Sequence, residues 1–375
     1  MPSILDIIRP TLVIDEERCR RNIADMQERA AAAAVVFRPH FKTHQSKVVG
    51  QWFREMGVTR ITVSSVEMAE RFIADGWQDV TIAFPFNRRE WANLERLPIQ
   101  SQIQLVVADP ITVKVLDQQL TGQRDILIKV DTGYGRSGIE TDNRTALQEL
   151  IRNLNESRHL NFTGFLTHAG HSYRAASHQD ILDIHEQTLR QFKALLTDFG
   201  PDNGALVLSL GDTPSCTLAR SFEPATEIRP GNFVFYDSMM VNLGVCVFEQ
   251  VAVCLVCPIV ARYPHRGKLV IHGGAVHLSK ESLQLADGQQ IFGYLAQLSN
   301  RGWEVLPAEN VVTALSQEHG ILQISPETMR RFQVGDLIGI VPVHSCLIGA
   351  EVPRIILQHQ IPVGVIPNDK SPNDA

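Results

Sequence analysis

The chain has 375 residues, with 35 Lys and Arg against 41 Asp and Glu, a formal net charge of −6. Hydrophobic residues make up 44% and charged residues 20%, which excludes a disordered, collagen-like or coiled-coil chain and leaves a globular one long enough for two domains. Mild acidity without a Lys/Arg cluster speaks against nucleic acid or an anionic membrane as a partner.

The opening MPSILDIIRPTLVIDEERCRR carries acids and a proline where a secretory signal needs a basic start and an unbroken apolar run, so no signal peptide is expected. From there to about residue 245, β-rich runs alternate with amphipathic stretches. Strands are expected over 34–42, 60–64, 79–84, 102–107, 124–131, 159–168, 205–211 and 225–230. Helices are expected over 16–31, 46–55, 66–74, 88–96, 111–120, 142–153, 176–198 and 214–220. This alternation builds βα units and a parallel sheet. Eight units fit a closed (β/α)8 barrel better than an open doubly wound sheet, because eight strands close on a packed interior.

After about residue 245 come short β runs separated by Gly, Pro and Asn turns, with helical spacing only near 290–298. That pattern predicts a smaller, mostly antiparallel β domain. The expected domains are a barrel over 12–245 and a β domain over 246–370, with 1–11 a candidate to join the second and 11–14 a candidate pairing strand. The tail NDKSPNDA (368–375) reads as frayed. The longest apolar stretches, 30–37 and 251–261, are too short to span a bilayer. Six cysteines form no disulfide framework, so a reducing cytoplasm is the expected compartment.

Four motifs carry chemistry. In RPHFKTH (38–44), alternation on an extended chain would aim Arg38, His40, Lys42 and His44 together, at the strand end where barrel active sites lie. A lysine crowded by cations has a lowered pKa and becomes a nucleophilic amine; the competing reading is a solvated basic strand end. DTGYGRSG (131–138) contains a literal GxGxxG, but neither an immediate helix nor an acid at the next strand end supports a dinucleotide fingerprint. A glycine-rich turn that lets Arg136 approach a ligand fits better. SLGDTPS (209–215) and EIRPGNFVFY (227–236) stand at the last two strand ends, the usual phosphate site of barrels. They offer Ser209, Gly211, Thr213, Gly231 and Tyr236, and His171 and Tyr173 are candidates to line the same pocket.

The fourth motif is VPVHSC (341–346), where His344 and Cys346 on a strand would face one way and suit Zn²⁺ in an open site. A buried core His and Cys is the alternative. Cys254 and Cys257 look more like a metal pair, but lie i, i+3 in an apolar β run and so point to opposite faces. His272 and His277 read equally well as surface residues.

RPHFKTH, DTGYGRSG, LTHAGHSY, SLGDTPS, EIRPGNFVFYD, SQEHG and VHSC, in this order over about residues 10–350, resemble the D-threonine aldolase / D-serine dehydratase family, fold-type III pyridoxal phosphate enzymes related to the alanine racemase barrel. The resemblance implies that Lys42 holds pyridoxal 5'-phosphate covalently and that Arg136 sits near the cofactor ring. It places Thr213 by the pyridine nitrogen and Gly231, Asn232 and Tyr236 in the phosphate cradle, and has His344 and Cys346 hold a divalent metal, zinc by expectation. It further implies a homodimer acting on a small D-amino acid. H-x-C is the dehydratase form of the metal pair and H-x-D the common aldolase form, which tilts the expected reaction toward D-serine dehydration. D-threonine or 3-hydroxy-D-aspartate cleavage, racemisation and a cofactor carrier without turnover are the alternatives. Two departures from the family pattern, IGAE at 348–351 and His277, bear on substrate identity.

Overall fold

The computed structural model describes residues 6–98, 100–299, 302–348 and 352–357, and the backbone of 363–366. The expectations for 349–351 and for the tail 368–375 lie outside the described residues. The chain divides into two compact units, Ala24–Phe233 and the described parts of Met1–Ile23 with Val234–Ala375. The first unit is thus shorter at each end than the span 12–245.

Along the barrel wall, Ala24–Phe233 carries eight parallel strands, numbered along the chain: β1 (Val36–Phe37), β2 (Arg60–Val63), β3 (Asp79–Pro85), β4 (Gln102–Val107), β5 (Arg124–Asp131), β6 (Leu160–Leu166), β7 (Val207–Leu210) and β8 (Glu227–Ile228), with the two-residue strand Ile139–Glu140 pairing parallel to the end of β5. Their spatial order is β1-β8-β7-β6-β5-β4-β3-β2, and a parallel bridge between His40 and Thr62 joins the two ends into a nearly closed barrel. Strands covered on both faces read as continuous apolar runs, and Ile126–Ile128 with Val130 in β5 is such a run, fully buried. The loops leaving the strands end on polar helix caps. Ser46, Ser65, Asp109, Asn143, Ser177 and Asp212 each accept the N–H three residues on. These caps fix where each loop stops and therefore shape the barrel mouth.

The first strand is shorter than its sequence suggested. After β1 the chain bridges at His40 and then turns through 41–44, so strand alternation does not apply there. Arg38 instead donates from Nε to Glu227 at 2.6 Å and also pairs with Asp79, the first residues of β8 and β3. Its guanidinium therefore ties three strands together inside the barrel wall.

The second unit is built on a ten-stranded sheet. Its order runs Lys268–His272, His319–Gln323, Val311–Leu315, Gly293–Ser299, Leu337–Pro342, Val253–Tyr263, Thr11–Asp15, Arg354–Leu357, Val363–Ile366, with Gly302–Val305 beside Gly293–Ser299. Pairing is antiparallel except where Thr11–Asp15 runs parallel to Arg354–Leu357. The helix expected near 290–298 is instead strand Gly293–Ser299, because partners on both sides satisfy its backbone and override the apolar spacing. Cys254 and Cys257 are buried free thiols, both raised in pKa by burial. No helix among the described residues is long and apolar enough to cross a membrane.

Arg38→Met leaves two carboxylates facing each other without their cation. It should lower stability by about 3–5 kcal/mol, measured by urea denaturation, whereas a barrel held by apolar packing alone would lose far less.

Candidate active site

The strand ends of the barrel bring most of the expected residues of Ala24–Phe233 to one mouth. His40 and Lys42 follow β1, Lys129 lies near the end of β5 with Arg136 in the next loop, and His168 and Tyr173 follow β6. Ser209 ends β7 before Gly211 and Thr213, and Arg229, Gly231 and Asn232 follow β8.

Electrostatics show how closely the cations are packed. Lys129 is buried, and burial first, then the charges of Arg229 and Arg136, bring its pKa down to about 7. Loss of water lowers Arg229 to about 10, although Glu227 opposes the shift. His40 and His168 keep some solvent-facing surface, yet desolvation and then the Lys42 charge hold both well below the ordinary imidazole value. His168 is therefore neutral at pH 7, and its Nδ1–H donates to the Gly211 carbonyl, which leaves Nε2 as an acceptor.

A hydrogen-bond chain fixes the residues at the ends of β7 and β8. Ser209 Oγ donates to Glu227 at 2.6 Å and accepts from Arg229 Nε at 2.5 Å. Arg229 also donates to the Thr167 carbonyl at 2.5 Å. The Tyr173 hydroxyl accepts the Thr213 N–H at 3.1 Å. Gly231 passes so near β1 that a Cβ there would stand 3.0 Å from the His40 carbonyl oxygen and 3.1 Å from Thr43 Oγ1. A side chain at this position would push the last loop away from Lys42. Arg136 is exposed and lies over the Tyr134 ring, 5.1 Å from its centroid, and Tyr134 in turn stacks on His171.

One motif reading changes in this unit. His44 does not join the mouth: it is fully buried, 4.4 Å from Phe41 and 5.7 Å from Phe53 between ring centroids, because the turn at 41–44 sends it into the aromatic core. The GxGxxG opens no helix. Gly138 (φ +115°) turns the chain so tightly onto Val130 that a Cβ would lie 2.6 Å from its carbonyl carbon, and the next helix starts only at Arg144.

In the other unit, Tyr236 is buried in a left-handed conformation (φ +48°) and hands the chain to Asp237. His344 precedes the single turn Ser345–Leu347, so strand alternation does not align it with Cys346; the turn does, and the two side chains hydrogen-bond. Burial alone would lower the His344 pKa, but Asp237 and Cys346 raise it to about 11. His272, His277 and Glu318 form a second cluster of ligand type. There, however, the Gly274 N–H donates to His277 Nδ1, which puts that ring's own proton on Nε2, toward Glu318. His277 thereby caps the helix Ala275–Leu278.

Residues 14–239 match the family signature of the alanine racemase N-terminal domain, and residues 252–358 that of a putative serine dehydratase domain. The chain belongs to this alanine racemase-like, serine dehydratase family. It is 31% identical to the D-threo-3-hydroxyaspartate dehydratase of Delftia sp. (strain HT23), over 94% of each chain. It is 28% identical to the D-serine dehydratase of Dictyostelium discoideum, over 93% of this chain and 92% of that one. The solved structure of the Delftia enzyme superposes with a TM-score of 0.86 at 28% identity, covering 96% of this chain and 97% of that one, and a mutant of it has been solved in a metal-free form. Relatives in the family are dehydratases and aldolases, and this chain is a lyase of the same kind.

Sequence reasoning missed Lys129, Arg229 and Asp237. For Lys129 the signal was a lone charge inside the apolar run ILIKV. Its depressed pKa has a stability consequence. Between about pH 7 and 10 the unfolded chain binds a proton at this lysine that the folded chain does not, so the apoprotein should gain stability as pH rises through that window. Lys129→Met should flatten that slope and stabilise the apoprotein at pH 7 by about 2–4 kcal/mol, read by denaturation at pH 7 and pH 9.

Proposed function

We propose that the protein is a pyridoxal 5'-phosphate- and metal-dependent lyase of D-β-hydroxy amino acids, and that its reaction is dehydration to a keto acid and ammonia, D-serine to pyruvate in the simplest case. The observation that carries this reading is the gathering of Lys42 with His40, His168, Lys129 and Arg229 at one barrel mouth. Such a mouth suits a phosphate and a substrate carboxylate. It also suppresses the proton on an amine, which a lysine needs in order to act as a nucleophile and then as a base.

The residues fit the cofactor. Thr213 Oγ1 is fully buried without a hydrogen-bond partner among the described residues, beside Gly211, and a polar group of a ligand would satisfy it. Lys42 would hold the cofactor, Arg136 would flank its ring, Thr213 would face the pyridine nitrogen, and Ser209, Gly211, Gly231, Asn232, Tyr236 and Tyr173 would make up the cradle. His344 and Cys346, an imidazole and a thiol joined by one turn, fit a divalent cation, with zinc favoured by the sulfur ligand. Bound, the cofactor supplies an electron sink at the substrate Cα and the metal a Lewis acid for the β-hydroxyl.

The chain's own groups do the remaining work. Lys42 Nζ, when free as an amine, would be the base that takes the α-proton. His168, neutral and tied to Gly211, presents an acceptor Nε2 without adding charge to the mouth. Arg229 and Arg136 set a positive field that holds the substrate carboxylate. Retro-aldol cleavage of D-threonine or 3-hydroxy-D-aspartate is the competing reading, favoured by the aldolases among the relatives. Six cysteines, none in a disulfide, support the cytoplasm as the compartment, and a homodimer is the proposed assembly.

Borohydride reduction of the holoprotein followed by peptide mass mapping should place the cofactor on Lys42; a label on any other lysine overturns the assignment. Incubation with D-serine, D-threonine and D-threo-3-hydroxyaspartate should give a keto acid with ammonia. Glycine with an aldehyde would make the enzyme an aldolase. A chelator should abolish turnover while the visible cofactor band persists, and unchanged turnover would remove the metal from the reading.

A further inference from the structure

We propose that Asp237 is a positioning residue for the metal: its carboxylate holds the Nδ1–H of His344 and so leaves Nε2 as the atom presented to the cation. This rests on the reading that His344 and Cys346 are the metal ligands.

The geometry is specific. Asp237 is fully buried, and its Oδ2 lies 3.3 Å from His344 Nδ1, at ion-pair distance but short of a formed hydrogen bond, which a small rotation of the ring would complete. The same oxygen accepts the Ser345 N–H at 2.9 Å and the Ser345 hydroxyl at 3.3 Å. Its other oxygen accepts the Met240 N–H at 3.0 Å, capping the short helix Ser238–Asn242. One carboxylate therefore clamps the ligand loop to the segment that follows Tyr236. A neutral imidazole has one N–H and one lone pair, so a carboxylate at Nδ1 fixes the proton there and the lone pair at Nε2. It also keeps the ring from rotating and raises its basicity as a ligand.

The cluster of His272, His277 and Glu318 shows the contrast. There a backbone N–H occupies Nδ1 and Nε2 carries the proton, the arrangement that disfavours coordination through Nε2.

The test is Zn²⁺ affinity of the pyridoxal phosphate-loaded protein, read by competition with a chromogenic chelator. D237N should bind Zn²⁺ about 10–100-fold more weakly, while S238A, which removes only the neighbouring Ser238 hydroxyl contact to the Val341 carbonyl, should stay within about threefold of wild type. H344A and C346A should lose Zn²⁺ binding. If those two lose it and D237N does not, the role of Asp237 is overturned and the metal pair stands. If all the variants bind like wild type, the metal pair itself is wrong. Should D237N fail to fold, histidine ¹⁵N NMR of the zinc-loaded wild type decides: a proton on His344 Nδ1 is the expected result, and one on Nε2 overturns the proposal.

Discussion

Positive charge crowded out of water at one end of a parallel barrel is the constraint from which the rest of the molecule follows. Parallel strands converge at their C-terminal ends, and here those ends carry Lys42, Lys129, Arg229, His40 and His168. At an effective dielectric of about 20, two unit charges 4 Å apart repel by about 4 kcal/mol, so the fold can hold such a set only by keeping some members neutral. The lowered pKa values of Lys129, His40 and His168 are that response. A phosphate and a carboxylate relieve the same repulsion, which is why the fold's electrostatic burden and its proposed ligands match in sign.

Two layers of side chains keep this arrangement in place. In the wall, Arg38 links Glu227 with Asp79, and Glu227 also receives the Ser209 hydroxyl. Ser209 in turn receives Arg229, so one acidic residue anchors both an arginine of the wall and an arginine of the mouth. Below Lys42, Phe41 and His44 plug an aromatic core with Phe53 and Phe72. The turn that sends those two rings inward leaves Lys42 only partly covered. The lysine's accessibility is thus a by-product of core packing by Phe41 just before it and His44 just after.

Much of this was legible in the sequence. Strands β2–β5 fall within one residue of the spans that apolar runs predicted, because continuous burial leaves a continuous apolar signature, whereas β1, β7 and β8 are shorter than their runs. His40 and Lys42 could be named from their place at a strand end, but Lys129 and Arg229 of the same mouth were missed. What the linear pattern hid depends on turns and on distant pairings. Strand alternation wrongly put His44 with Lys42, since a four-residue turn intervenes, and it joined His344 to Cys346 for a reason that does not hold, since a turn does that work. The helix-like spacing at 290–298 gave way to sheet pairing. Asp237 was invisible because its meaning lies in a partner 108 residues away.

The strand Thr11–Asp15 lies between Val253–Tyr263 and Arg354–Leu357, near opposite ends of the polypeptide. During synthesis it must wait for residue 357 to leave the ribosome, on the order of half a minute at roughly 10 residues per second. Strands β1–β8, made in one uninterrupted stretch, face no such delay. The sheet that carries His344 is therefore the last part of the newborn chain able to assemble, and the apolar edge formed by 11–15 is the part most in need of protection until then.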